Sequence, residues 1–276
     1  MNLRTPGPIP ISDDILEIMS SPMINHRGPE FAELLSSTTA KLKTVFATKQ
    51  DMYIITGSGT GAMEAAVVNT LSPGDKILNL SVGAFGDRFG QIADLFGAKV
   101  TNIKFPLGTA VAPGKVREAL NSDPSIKCVL ATHNETSTGV TNDIEAIAKV
   151  VKKEFGKLLL VDGISSVASI PMMTDAWGCD VVASASQKGW MLPPGLAFIS
   201  FSKSAWDAQK TATMPRFYFD LNQYQSYLEK GQPPYTPAIS VMLALDVALQ
   251  KLLDEGMDHV FTRHANIARL TREGIK

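Results

Sequence analysis

A regular alternation constrains this chain more than any other feature of its sequence. Seven short β-rich runs, at 52–56, 76–80, 99–103, 127–132, 158–162, 180–185 and 196–201, are separated by segments of helical periodicity. Most of these runs are apolar on both faces, as in a strand covered from both sides. Helical connections between such strands favour parallel pairing. The expected fold is therefore α/β: a mostly parallel seven-stranded sheet with helices on both faces. The last two runs are joined only by QKGWMLPPG, too short for a helical crossover, so that pair is expected to be antiparallel.

Local signals support the same plan. Asn142 and Glu145 form a capping-box pattern, with Asn in the usual Ser/Thr role. Ile144, Ile147, Ala148, Val151 and Phe155 keep helical spacing after it, and Gly156 is the expected stop. Residues 257–275 also read as a helix.

Composition excludes several function classes. The 276 residues are 45% hydrophobic, enough for one large core or two modest ones. Twenty-six basic residues against 27 acidic ones leave a net charge of −1, which gives no reason to expect nucleic acid or an anionic membrane as partner. No apolar run approaches the length of a membrane span. The opening MNLRTPGPIPISDD is polar and proline-rich, unlike a signal peptide. Cys128 and Cys179 lie in or beside apolar runs and read as buried packing thiols, which suits a reducing compartment. The expectation is a cytoplasmic protein.

Five segments carry possible chemistry. Thr56-Gly57-Ser58-Gly59-Thr60-Gly61 follows an apolar strand and opens an apolar helix. Backbone N–H groups and the positive end of a helix dipole at such a turn suit a phosphate. The spacing is GxGxG, one position short of the dinucleotide fingerprint, and no acidic residue closes the next strand, where KILNL gives way to Ser81. A plain tight turn fits equally. Asp162 ends the buried run LLLV, at the carboxyl edge where parallel sheets bind ligands, and needs a cationic partner. Lys188 follows a buried strand among small residues, in SASQKGW. A desolvated lysine there can form a Schiff base; an exposed loop lysine fits the same heptapeptide. The run Ala131 to Gly139 offers short polar side chains at a strand end, and its His133 reads more readily as a structural hydrogen-bonder than as a catalyst. Phe85, between Gly83 and Gly86, can stack on a planar ring or simply pack.

Taken in order along the chain, these motifs resemble those of the class V aminotransferases in the fold-type I pyridoxal-phosphate family. The likeness is greatest to the alanine–glyoxylate, serine–glyoxylate and serine–pyruvate enzymes. It runs from TPGP (Thr5 to Pro8) and NHRGPEF (Asn25 to Phe31) through SGTGAMEA, LSPGD, GAFG, THNETSTGV, LLLVDGISS, SASQKG and PPG (Pro193 to Gly195). The resemblance implies pyridoxal 5'-phosphate as cofactor. It implies transamination between a small amino acid, serine or alanine, and a small 2-oxo acid, glyoxylate or pyruvate.

It also implies roles for individual residues. Lys188 matches the Schiff-base lysine that later serves as general base and acid. Asp162 matches the carboxylate paired with the pyridine nitrogen. Phe85 matches the stacking aromatic, where many relatives carry Trp. Ser58, Gly59 and Thr60 match the phosphate cup, and Gln187 a further phosphate contact. Thr136 matches the hydroxyl near the cofactor O3′. Thr236 matches a threonine that reaches the neighbouring subunit's phosphate, which implies a homodimer with composite sites. By the same likeness, residues 1–20 form an N-terminal arm, 21–256 the cofactor-binding large domain, and 257–276 the start of a C-terminal subdomain. In the family that subdomain carries the arginine that binds the substrate carboxylate. None of Arg216, Arg263 and Arg269 matches its motif, which leaves a cofactor-binding chain without turnover as one alternative. Another is other chemistry of the same class, a lyase or a cysteine desulfurase, the latter usually showing His before the lysine and a cysteine on a mobile loop. Here Gln187 precedes Lys188.

Overall fold

The computed structural model describes residues 3–275. The described residues form nine strands: β1 (Asp51–Gly57), β2 (Lys76–Ser81), β3 (Lys99–Lys104), β4 (Cys128–Thr132), β5 (Asn134–Glu135), β6 (Val140–Thr141), β7 (Leu158–Asp162), β8 (Val181–Ala185) and β9 (Gly195–Phe201). Seven form one sheet in the order β1-β9-β8-β7-β4-β2-β3, while β5 and β6 make a separate short hairpin. Strands β3, β2, β4, β7 and β8 are parallel. Strand β9 pairs antiparallel with both β8 and β1, so every strand of the large sheet except β9 points the same way. The short β8–β9 connection has the geometry its length requires.

Apolarity on both faces of the strands has a direct structural counterpart. Leu159 and Val161 of β7 belong to one core, with Phe31, Leu42, Ile147, Leu245 and Leu249 from helices 29–45, 144–148 and 239–255. Leu160 belongs to the opposite core, with Ala62, Met63, Val67 and Phe89 from helices 59–70 and 84–95. Alternate residues of one strand thus anchor two helical layers. Strand β3 lies at the edge and leaves Lys99, Thr101, Asn102 and Lys104 exposed, and charged side chains on an edge discourage pairing with another sheet. Cys128 and Cys179 are buried free thiols.

The helix after β6 differs from its expected start. Asp143 is the N-cap, and its carboxylate accepts from the Ala146 N–H at 2.9 Å. Asn142 is buried and turned sideways: its amide donates to the Thr132 carbonyl at 2.7 Å and accepts from the Val111 N–H at 2.8 Å. A strand-end carbonyl and a loop amide would otherwise be buried unpaired, and satisfying them outweighs a capping box. Beyond Ala148 the helix widens into a π turn over Lys149–Glu154, and Gly156 ends it in the left-handed region at φ 62°. Residues Met257–Ile275 form the expected helix, of which only Val260 is buried among the described residues. No helix among the described residues is long and apolar enough to cross a membrane.

Candidate active site

Because β7 and β8 are parallel neighbours, their carboxyl ends open on the same edge of the sheet. Asp162 is the last residue of β7, in register with Thr132 of β4 and Ala183 of β8. Its side chain is buried, and Oδ1 accepts from the Ile164 N–H at 2.9 Å. Burial pushes the carboxyl pKa up to about 7, and the nearby Glu135 carboxylate adds to the rise. The Ile164 amide and the charges of Arg88 and Lys188 oppose it. A carboxylate in this position stays ionised at neutral pH only with a cation against it.

Lys188 follows β8 and is partly buried. Burial lowers its pKa, while the charge of Asp162 raises it. Its ammonium donates to the Pro6 carbonyl at 3.0 Å. The N-terminal TPGP segment therefore lies across the lysine. Gly7 is required for that approach: a Cβ there would sit 2.6 Å from Lys188 Nζ and 2.7 Å from its Cδ. Pro6, Ser165, Ser169, Lys188, Arg263 and His264 line a cleft of about 270 Å³ beside the lysine. Arg263 is held there by a two-point ion pair with Glu255, at 2.7 and 2.9 Å.

Strand β1 delivers the glycine-rich turn to this edge. Ser58 is the exposed N-cap of helix Gly59–Thr70, with extended backbone and a free hydroxyl. The first N–H groups of a helix have no acceptor within it, so Gly59 and Thr60 present donors outward. Gly59 is packed tightly, since a Cβ would come within 2.6 Å of Ile164 Cδ1 and 3.1 Å of Ala185 Cβ. The Thr60 hydroxyl is 3.4 Å from the Arg88 guanidinium, which lies over the Phe85 ring at 4.9 Å. Gln187 carries a buried Oε1 without a hydrogen-bond partner.

Phe85 sits in the first turn of helix Ala84–Leu95 and is half-buried. The turn is capped from elsewhere in the chain. Glu135 Oε2 accepts from the Phe85 and Gly86 N–H groups at 3.0 and 2.9 Å, and the Ser137 hydroxyl accepts from Ala84 at 3.0 Å. Thr136 lies between these two capping residues. His133 is buried edge-on to Trp177, 5.8 Å between ring centres, and burial lowers its pKa to about 4. Its Nδ1 is buried without a hydrogen-bond partner among the described residues, so the ring packs but does not make the hydrogen bond expected of it.

The fold thus gathers Asp162, Lys188, Gln187, Phe85, Thr136 and the Ser58–Thr60 turn along one edge. Thr236 stands apart. It is exposed on the segment before helix Ile239–Glu255, and that segment is tied to β1 through the Ala238 N–H and Thr56 hydroxyl at 3.0 Å. Among the described residues it makes no hydrogen bond to the glycine-rich turn. The sequence reading missed Glu135, Arg88 and the contact of Pro6 with the lysine. It set Arg263 aside by position, yet the structure brings it to the rim of the lysine cleft. Arg216 instead donates to carbonyls of Val68, Ala212 and Met214, and Arg269 pairs with Glu273 on its own helix.

These groups fit pyridoxal phosphate. Among the described residues the buried Asp162 has no ion-pair partner, and a protonated pyridine nitrogen would supply one. A helix N-terminus flanked by hydroxyls suits the phosphate, the Gln187 side chain adjoins the lysine with its Oε1 still open to a donor, and the half-buried Phe85 ring offers a stacking face.

Comparison with known proteins agrees with that fit. Residues 16–276 match the family model for aminotransferase class-V. The small subunit of a soluble hydrogenase from Synechococcus sp. is 41% identical over 99% of this chain and 72% of its own length. Serine–glyoxylate aminotransferase from Hyphomicrobium methylovorum is 38% identical over 99% of this chain and 69% of its own. The crystal structure of alanine–glyoxylate aminotransferase from Nostoc sp. superposes with a TM-score of 0.92 at 31% identity, covering 96% of this chain and 71% of that one. With its strand-end lysine and carboxylate beside a phosphate-type helix turn, the chain belongs to the class-V aminotransferase family and is a pyridoxal-phosphate-dependent transaminase.

Proposed function

We propose that this protein transfers the amino group of a small amino acid, serine or alanine, to glyoxylate or pyruvate. The observation that carries the reading is the placement of Asp162 and Lys188 at the adjoining carboxyl ends of β7 and β8, beside the turn that opens helix 59–70. Relatives that act on glyoxylate support the acceptor.

Pyridoxal phosphate, when bound, supplies an electron sink for the substrate's Cα–H bond. The protein's residues then divide the remaining work. Asp162, buried and reluctant to ionise alone, holds the proton on the pyridine nitrogen by pairing with it. Lys188, with its lowered proton affinity, takes the α-proton on Nζ and returns it one position away. The Gly59 and Thr60 amides and the Ser58 and Thr60 hydroxyls bind the phosphate, and Gln187 adds a side-chain contact. Phe85 stacks on the ring, and Thr136 donates near its O3′. Pro6 and Gly7 lie across the lysine and hold its ammonium in place.

The working unit in this reading is a cytoplasmic homodimer in which Thr236 of one subunit reaches the other's phosphate site. Within each subunit, residues 1–20 act as the arm over the lysine, 21–256 as the cofactor-binding domain, and 257–276 as the start of the C-terminal subdomain. The test is direct. Purified protein loaded with cofactor should form glycine from glyoxylate with serine or alanine as donor, and the donor should appear as its 2-oxo acid. Failure to form either product with any small donor would refute the assignment.

A further inference from the structure

Glu135 is the most completely buried carboxylate along this edge, with no measurable exposure. A buried charge is tolerated only when fully hydrogen-bonded, and here the donors are unusual in origin. Oε2 accepts from the Phe85 and Gly86 amides at 3.0 and 2.9 Å. Oε1 accepts from the Ser137 amide at 3.1 Å and its hydroxyl at 2.7 Å. The first pair is the open N-terminus of helix 84–95, where negative charge is favoured. The second pair is the loop carrying Thr136. One carboxylate thus ties the stacking aromatic to the hydroxyl beside it, although the two segments are 49 to 50 residues apart in the chain.

The surroundings leave this tie little freedom. A Cβ at Gly83 would lie 2.4 Å from the Ser137 hydroxyl and 2.6 Å from Glu135 Cγ, so the helix start is seated directly against the carboxylate. Ser137 completes the cap on Ala84 at 3.0 Å, and the Thr138 hydroxyl donates to the Val82 carbonyl at 3.2 Å. The β5–β6 hairpin therefore grips the helix start from both sides. Glu135 also bears electrostatically on Asp162, adding to the burial that raises its proton affinity.

We propose that Glu135 is a positioning residue for the cofactor: through the Phe85 and Gly86 amides and through Ser137 it fixes the Phe85 ring and the Thr136 hydroxyl in one relation to each other. The inference rests on the reading of Phe85 and Thr136 as cofactor contacts. It assigns Glu135 no contact with substrate and no proton transfer.

The experiment compares wild type, Glu135→Gln, Ser137→Ala, Phe85→Leu and the double variant Glu135→Gln/Phe85→Leu. The readouts are the dissociation constant for pyridoxal phosphate, the visible circular dichroism of the bound cofactor, and the melting temperature without cofactor. Glu135→Gln keeps the shape but removes the charge and sets an NH2 group against a donor. It should weaken cofactor binding by roughly tenfold, the size of one lost charge-assisted hydrogen bond, and reduce the dichroism. Ser137→Ala should move both readouts the same way by less. In the Phe85→Leu background the Glu135 change should add little, because the two residues act as one unit. A Glu135→Gln protein that melts earlier yet binds cofactor with unchanged affinity and dichroism would show a purely structural cap and overturn the proposal. If that variant does not fold, unchanged affinity and dichroism in Ser137→Ala overturns it instead. Unchanged binding and dichroism in Phe85→Leu alone would instead refute Phe85 as a cofactor contact, removing the basis on which the inference stands.

Discussion

The Lys188 ammonium donates to the carbonyl of Pro6 at 3.0 Å, across 182 residues of chain. The contact makes the segment around Pro6 a wall of the candidate active site. Lys188→Ala should leave the arm without its anchor and the cofactor without its covalent partner. Borohydride should fix the yellow chromophore to wild type and not to the variant, as read by intact-protein mass spectrometry.

Gly7 tests the same wall from the other side. Its φ of +147° and a Cβ position 2.6 Å from Lys188 Nζ leave no room for a side chain. The atoms it would strike are the mobile end of a lysine, so Gly7→Ala should displace Lys188 rather than unfold the protein. The backbone strain should cost about 1–3 kcal/mol, visible as a modest fall in melting temperature. Transamination should fall by more than roughly tenfold, in line with the sensitivity of catalysis to misplaced groups.

Asp162 predicts a pH dependence with a definite sign. Its folded pKa is raised to about 7 from an ordinary value of 3.8. Between those values the folded state binds more protons than the unfolded one, so stability falls as pH rises. Without cofactor, wild type should lose stability between about pH 4 and 7, with a total on the order of a few kcal/mol. Asp162→Asn should lack this component and be the more stable protein at pH 8. Urea unfolding of the two cofactor-free proteins across that range measures the difference. Cofactor binding should reverse the ranking, because the variant cannot pair with a protonated ring nitrogen.

Phe85→Trp should preserve cofactor affinity, whereas Phe85→Ala should weaken it by about 0.5–1.5 kcal/mol, the usual worth of an aromatic contact beyond its area. Equilibrium dialysis against pyridoxal phosphate measures both.

Trp190 predicts stability rather than chemistry. It is fully buried behind Lys188, stacks on Phe46 at 5.6 Å, meets Phe198 at 4.8 Å and donates to the Ser184 hydroxyl at 2.9 Å. Trp190→Ala should cost about 3–5 kcal/mol. The midpoint of urea denaturation should drop accordingly, with cofactor uptake lost in proportion to unfolding.

The sheet was legible because its strands are apolar on both faces, a pattern that Leu159, Leu160 and Val161 satisfy by pointing into alternate cores. The strand-end positions of Asp162 and Lys188 were legible from the strand pattern, while the roles expected of them came from the family resemblance alone. What escaped the sequence reading depends on distant partners. Glu135 stands in a run of short polar residues that reads as open loop, and only the approach of helix 84–95 buries it. Asn142 looked like a cap because local spacing says nothing of the Thr132 carbonyl waiting across the sheet edge. Arg88 drew no reading from the sequence, because nothing in its local spacing points to a site. Its neighbours Phe85 and Thr60 come together only when β1 and β2 take their places.

The pairing of β1 with β9 sets an order of assembly. Strand β1 has β9 as its one neighbour in the sheet, so residues 51–57 must wait for residues 195–201 before they have a ladder to join. The glycine-rich turn, the proposed phosphate cradle, hangs from β1. During synthesis, then, a nascent chain can build β2, β3, β4, β7 and β8 from successive local crossovers, but it acquires its phosphate cradle only after β9 has left the ribosome and reversed direction. Closing so long a loop is slow. Cofactor capture should be a late event in the life of each new molecule, and the glycine-rich segment the stretch most exposed to proteases and chaperones until then.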